Sequence, residues 1–467
     1  MHRSLAIAAF LVVFGLVSPA WTQEAGPKLL TTQVALGTLQ GENPRFFAVS
    51  PDGKYVVKAV KYQTKMAVVL NGVEGRKYDE ALGGNFSPDG KRFAYKAKAG
   101  SKHYMVLDGK VSKPYDNVGS FYFSPDSEHF AYQACANKEY MVVLDGVEGK
   151  RYSSLELNYI AFSSDSKHIA YMAARRDKKA KHGWQAFVVK DGKEGPPYEY
   201  IHGGSLTFGP DSKQFAFVAG RNRKTFPVLN GKEGKAYDMV DLRLVFSPDG
   251  AHLACLAQEG TKYFVVIDGK EGPKYADNMP FDWPDGFAFS PDGKHHAYHI
   301  DYEHMVIDGV AKRYIEIGDP VYSPDGKHLA YTAVQATEDT PAHNVLVLDG
   351  VVKDLGFENM ERLSFSPDGA HMVFLGFKND KWTIVVDDKP VGSLAPAMAP
   401  VFSPDGKHLA YIGSTSRKEF VLVLDGLATG KYDRIPENLT FRDSVTVSAI
   451  AFKGNKAYYV TAKLAAP

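Results

Sequence analysis

The side chains of this chain best equipped for chemistry are seven of its fifteen histidines. His129, His168, His252, His295, His328, His371 and His408 each stand three residues after an aspartate. Imidazole and carboxylate together make a metal-ligand set, but zinc needs its ligands to converge at Zn–N distances of ~2.0 to 2.1 Å. These histidines are spaced 33 to 84 residues apart in equivalent copies of one unit, which spreads them around a structure. The position also takes Arg92, Gln214 and Tyr55, so it reads as a semi-exposed hairpin site and an incidental histidine. No metal and no cofactor is expected. Walker-type phosphate loops, His-Glu-x-x-His, Cys-x-x-Cys and Gly-x-Ser-x-Gly are all missing from the sequence. Cys135 and Cys255 fall at different positions of separate units and read as small core residues, not as a disulfide.

Binding chemistry is concentrated in three irregular stretches. Arg175-Arg176-Asp177-Lys178-Lys179-Ala180-Lys181-His182-Gly183-Trp184 carries five basic side chains and a tryptophan, and Arg221-Asn222-Arg223-Lys224 occupies the matching connection of the next unit. Together they make a candidate basic patch (Arg175, Arg176, Lys178, Lys179, Lys181, Trp184, Arg221, Arg223, Lys224) for an acidic protein, a polysaccharide or a phospholipid headgroup. The plain alternative is a solvated loop. In Met279-Pro280-Phe281-Asp282-Trp283-Pro284-Asp285-Gly286, an exposed Trp283 could stack on a sugar or anchor a protein partner, or else pack against a neighbouring unit.

The elements that carry these residues come from a repeat. Phe402-Ser403-Pro404-Asp405-Gly406-Lys407-His408-Leu409-Ala410-Tyr411 has counterparts centred on Asp52, Asp89, Asp126, Asp165, Asp211, Asp249, Asp292, Asp325 and Asp368. Five residues after each aspartate stands alanine or valine, and in eight copies an aromatic residue follows it. Proline and aspartate set a tight turn. A second turn recurs as Asp-Gly or Asn-Gly, for example Asp145-Gly146, and the ninth unit has Asp387-Asp388 instead. In the third unit this predicts strand A over 119–124, strand B over 129–134, strand C over 140–144 and strand D around Tyr152. Four strands in about 40 residues, with no helical periodicity, is the arithmetic of a β-propeller blade. The expected fold is therefore all-β, a β-propeller of four-stranded antiparallel blades.

The Phe-Ser-Pro-Asp-Gly-Lys-x-x-Ala-Tyr unit resembles the repeat of TolB-like, WD-like propellers, over roughly residues 45–463. The resemblance implies the propeller part only. TolB joins an N-terminal α/β domain to its propeller, whereas here about twenty residues separate the leader from the first repeat. The related oligopeptidases need a hydrolase domain, and its nucleophile elbow is missing from this sequence. Ten complete copies and a degenerate half copy over 449–462 exceed the usual ~4 to 8 blades. One large ring is favoured, closed by the C-terminal hairpin against a strand near 32–37; two tandem propellers of about five blades are the alternative.

At 467 residues with a formal net charge of +1, no global field points to nucleic acid. His2 and Arg3, the apolar run 5–17 and Ser18-Pro19-Ala20 read as a signal peptide cleaved after Ala20, too short for a membrane span. The expected organisation is a leader (1–20), an N-terminal segment (21–40) and the propeller (41–467), periplasmic or extracellular. Loops carry specificity more than scaffolds do. The expected function is a non-catalytic scaffold for protein or glycan, using the face opposite the regular turns. An enzyme of the lyase or hydrolase class acting on glycans in the channel is the alternative.

Overall fold

The computed structural model describes residues 28–38, 47–51, 53–180, 182–276, 286–299, 303–336, 341–391, 398–416, 418–436 and 439–465. Among them there are strands and turns and no helix, hence none long and apolar enough to cross a membrane. The strands form eleven antiparallel sheets. Each sheet is a blade, and in ten of the eleven the strands A to D follow one another in sequence order from the inside of the ring to its rim.

The third blade shows why the sequence folds this way. Its strands are Asn117–Phe123, Phe130–Ala136, Glu139–Leu144 and Val147–Glu148, and a Tyr140–Tyr152 bridge prolongs the last. Strand B, Phe-Ala-Tyr-Gln-Ala-Cys-Ala, is buried on both faces because a blade lies against each. The alternation of a one-sided sheet is therefore replaced by a nearly continuous apolar run. Cys135 lies in this strand and Cys255 in strand B of the sixth blade; both are buried free thiols.

Close approach of the blades depends on the small residue five places after the turn aspartate. Val57, Ala94, Ala131, Ala170, Ala216, Ala254, Ala297, Ala330, Val373 and Ala410 are all 0% exposed. In several blades an aromatic follows it and meets, edge to face, an aromatic at or beyond strand D of the preceding blade. Tyr78–Tyr95, Tyr115–Tyr132, Tyr198–Phe217 and Phe357–Phe374 have ring centroids 5.8 to 6.4 Å apart at 76° to 87°. Such pairs add ~0.5 to 1.5 kcal/mol beyond their burial.

Ten core clusters each join two consecutive blades, from the first pair to the last. The eleventh blade is composite. Thr440–Asp443, Thr446–Lys453 and Lys456–Leu464 supply strands A to C, and Leu29–Thr38 supplies strand D, pairing Leu29 with Leu464 and Thr38 with Lys456. The remaining contact joins this blade to the first. In four other blades the glycine after the turn aspartate abuts the preceding blade's aspartate: Gly250 on Asp211, Gly293 on Asp249, Gly369 on Asp325 and Gly406 on Asp368. At the seam Gly53 abuts Tyr459, and a Cβ there would fall 2.0 Å from its ring. The chain is one ring of eleven blades, with the half copy completed by β structure from the other end of the sequence.

Candidate functional site

The turns between strands A and B and between C and D share one face, where the repeated polar residues are tied together. The Ser87 hydroxyl donates to Asp89 Oδ1 at 2.6 Å and accepts the Arg92 N–H at 3.0 Å. The same pair of bonds recurs at Ser124, Ser163, Ser247, Ser290, Ser323, Ser366 and Ser403. Donation by Ser87 and by the Lys91 N–H holds the Asp89 carboxyl at about 2, below the ordinary range. Where serine replaces the turn glycine, at Ser127, Ser166 and Ser212, it keeps the left-handed φ of 62° to 69°. Its hydroxyl accepts the N–H of Asp89, Asp126 or Asp165 in the preceding blade at 2.9 to 3.0 Å.

The seven repeated histidines have a structural partner. Nδ1 of each lies 2.6 to 2.8 Å from Oδ2 of the second-turn aspartate in its own blade: His129 on Asp145, His168 on Asp191, His252 on Asp268, His295 on Asp308, His328 on Asp349, His371 on Asp387 and His408 on Asp425. The other carboxylate oxygen accepts the N–H of the residue after the histidine, as from Phe130 at 2.8 Å. Four of these imidazoles also stack on a phenylalanine of the next blade: His168 on Phe208, His252 on Phe289, His328 on Phe365 and His371 on Phe402. Arg92 does both jobs, 3.2 Å from Asp108 and 5.6 Å above Phe123. The histidine is therefore not incidental: it links two turns and, in these four blades, reaches the next blade too. Bonding to Asp145 raises the His129 pKa. Among the described residues, no group of three or more His, Cys, Asp or Glu is arranged to hold a metal.

On the opposite face a second device appears, which the sequence reading missed. An acid directly after the strand D aromatic caps the B–C hairpin of the following blade. Asp79 accepts the Gly100 N–H at 2.6 Å, Asp116 that of Asn137 at 2.7 Å, Glu199 that of Asn222 at 2.8 Å and Asp238 that of Gly260 at 2.7 Å. Glu358 and Asp433 do the same for Asn379 and Gly454. Blades four, seven and eight have Ser153, Ala276 and Ile315 there, and these carry longer B–C connections, over 177–183, 300–303 and 336–342. The signal was readable as Tyr or Phe followed directly by Asp or Glu, once strand D was known to precede the hairpin of the next blade.

The expected basic residues fall into two groups. Arg175 is paired with Glu194 and lies 4.6 Å over Phe187; Arg221 pairs with Glu233 at 3.0 Å and Lys224 with Asp238 at 3.5 Å. These three are neutralised by acids of their own surroundings. Arg176 lies 5.3 Å over the ring of Trp184, which is 36% exposed. Lys178, Lys179 and Arg223 are exposed and make no ion pair among the described residues. The blade four loop is held from within: Asp177 accepts the Lys179 N–H at 2.8 Å and the Gln185 amide at 2.6 Å. Lys181 and Trp283 lie outside the described residues.

No family model and no curated protein matches the chain. Among solved structures, a eukaryotic initiation factor is similar at 13% identity and a TM-score of 0.39, covering 79% of this chain and 97% of that one. The Myceliophteria thermophila Cps50 (Swd1) β-propeller domain matches at 12% identity and 0.29, covering 55% and 94%. TolB from Acinetobacter baumannii matches at 14% and 0.25, covering 62% and 79%. With these scores below 0.5, the fold assignment rests on the strand pairing and the inter-blade packing of the chain itself.

Proposed function

We propose that this is an exported, non-catalytic propeller of the TolB-like class that binds an acidic protein or an anionic glycan through the face of its B–C connections. The observation that carries this reading is the division of labour between the faces. The repeated Ser, Asp and His are committed to holding turns and joining blades. The exposed cations sit instead on the B–C connections, and Arg176 and Trp184 end the two strands that flank the blade-four connection. An aromatic with a cation over its face suits a partner offering both apolar and anionic groups. The resemblance of the repeated motif and the leader-like sequence over 1–20 support the class and the export.

The test is capture from envelope and culture medium with wild-type protein and with a Lys178→Glu, Lys179→Glu, Arg223→Glu, Trp184→Ala variant, beside an array of anionic glycans. A partner held by the first and lost by the second is expected. Equal capture by both would move the binding surface elsewhere. Turnover of a glycan or peptide without stable capture would favour an enzyme in the channel.

A further inference from the structure

Strand D is the outer edge of every blade, and an open edge invites pairing with another chain. Ten blades guard it. Their D strands start with pieces of two to six residues, and in nine the piece carries a charge: Val73–Tyr78, Lys110–Val111, Val147–Glu148, Lys193–Glu194, Lys232–Glu233, Lys270–Glu271, Val310–Arg313, Val351–Lys353 and Lys389–Val391. In the tenth it is only Leu427–Ala428. The eleventh blade differs. Its edge, Leu29–Thr38, is ten residues long and has no charge and no proline. Residues 30 to 35 are all exposed, Leu30 at 54% and Val34 at 59%.

The chemistry of this edge selects its occupant. Pairing with Lys456–Leu464 runs unbroken from Leu29 to Ala35, then shifts register before Gly37, so seven residues form a straight edge. Their sequence, Leu-Leu-Thr-Thr-Gln-Val-Ala, has the same polarity read from either end. Laid antiparallel on itself about Thr32, it sets Leu29 opposite Ala35, Leu30 opposite Val34, Thr31 opposite Gln33 and Thr32 opposite Thr32. Apolar meets apolar, polar meets polar, and no like charges face each other. Two-fold self-pairing is also the closed arrangement, leaving no further edge of this kind exposed. We propose that this strand joins its counterpart in a second copy of the chain, fusing the two eleventh blades into one eight-stranded sheet. One strand pair is smaller than a standard interface of about 1,600 Å², so the dimer dissociates on dilution.

The experiment is sedimentation equilibrium of the full mature chain over a concentration series. A rise of the weight-average mass toward twice the monomer is expected for wild type. Thr32→Lys places two ammonium groups opposite each other at the axis, and Thr32→Glu two carboxylates, so each alone should stay monomeric. An equimolar mixture of the two should recover the dimer. Val73→Lys, on the first blade's edge, should leave wild-type dimerisation unchanged. Because this strand also closes the ring, thermal melts accompany each variant, and Val34→Lys, at an exposed position, gives a second disruption if Thr32 variants melt early. A wild-type chain that stays monomeric throughout, including one that binds an extended peptide at this edge instead, overturns the proposal. So does a dimer that survives Thr32→Lys and Val34→Lys.

Discussion

The hairpins on the two faces of the ring use the same residue types to different ends. On the face of the regular turns, Gly293 has φ +72° and a Cβ there would lie 2.6 Å from Asp249 of the preceding blade. On the other face, Gly260 has φ +62° and open space around it. The first glycine's bare Cα makes room for the neighbouring blade; the second's does not, although its N–H is held by Asp238 of the preceding blade. The same holds for the acids. Asp387 accepts from His371, whose ring lies against Phe402 of the next blade, whereas Asp238 caps a hairpin that can lengthen when the acid is lost. Both faces tie neighbouring blades, but only the second gives up the tie where its connection lengthens.

Four measurements would break or sharpen that contrast. The largest effect is expected at the glycines: Gly293→Ala combines left-handed strain with a clash and should cost about 3 kcal/mol in a denaturant melt. Gly260→Ala should cost only the strain, about 1 kcal/mol. Equal losses would erase the distinction. Next, His371→Ala removes a charge-assisted bond and a stack on the next blade, for an expected loss of about 1 to 2 kcal/mol. Asp238→Ala, which uncaps an exposed hairpin, should lose about 0.5 to 1 kcal/mol.

A smaller effect concerns pH. The Asp145 bond raises the His129 pKa, while burial lowers that of His296, which occupies the apolar position at the start of strand B in blade seven. NMR titration should place them on opposite sides of the ordinary histidine value of ~6.5. With its folded pKa raised, His129 contributes stability that is fully present below the unfolded value and is lost as pH rises through the folded one. Asp145→Asn should abolish that dependence and return His129 toward the ordinary value. The smallest effect on stability belongs to the loop variant Lys178→Glu, Lys179→Glu, Arg223→Glu, expected to shift the melt by less than about 0.5 kcal/mol while altering capture. A large stability loss there would mean that these loops also hold the ring.

Much of the fold was legible because turn chemistry and burial leave fixed residues at fixed spacing. The 0% exposed alanine and the Ser-Pro-Asp-Gly turn announce a blade each time they recur. The histidine partnership was legible too, but only as a correlation between distant positions. Each repeated histidine, and Arg92, is matched by Asp in the second turn, whereas Tyr55 and Gln214 are matched by Asn71 and Asn230. A cationic or hydrogen-bonding ring needs a carboxylate there; the other two need only the Oδ1 that accepts the N–H of Val56 or Phe215 at 2.7 and 2.9 Å. The ion pairs within the basic patch were not legible, because acids such as Glu194 and Glu233 lie on strand D, nineteen residues after Arg175 and twelve after Arg221. The eleventh blade was half hidden, since its Pro-Asp-Gly turn is lost and its fourth strand lies more than four hundred residues earlier.

That fourth strand imposes an order of events. Each of the first ten blades is built from residues within about fifty positions of one another, so it can form as soon as its own segment is free. The seam cannot. Lys28, whose carbonyl accepts the Ala465 N–H at 2.8 Å, must wait for a residue more than four hundred positions later to be made. Until then the growing molecule is an open arc whose first and last blades each expose a packing face. Closing the circle is thus a single event that follows the assembly of the ten blades between the two halves of the seam.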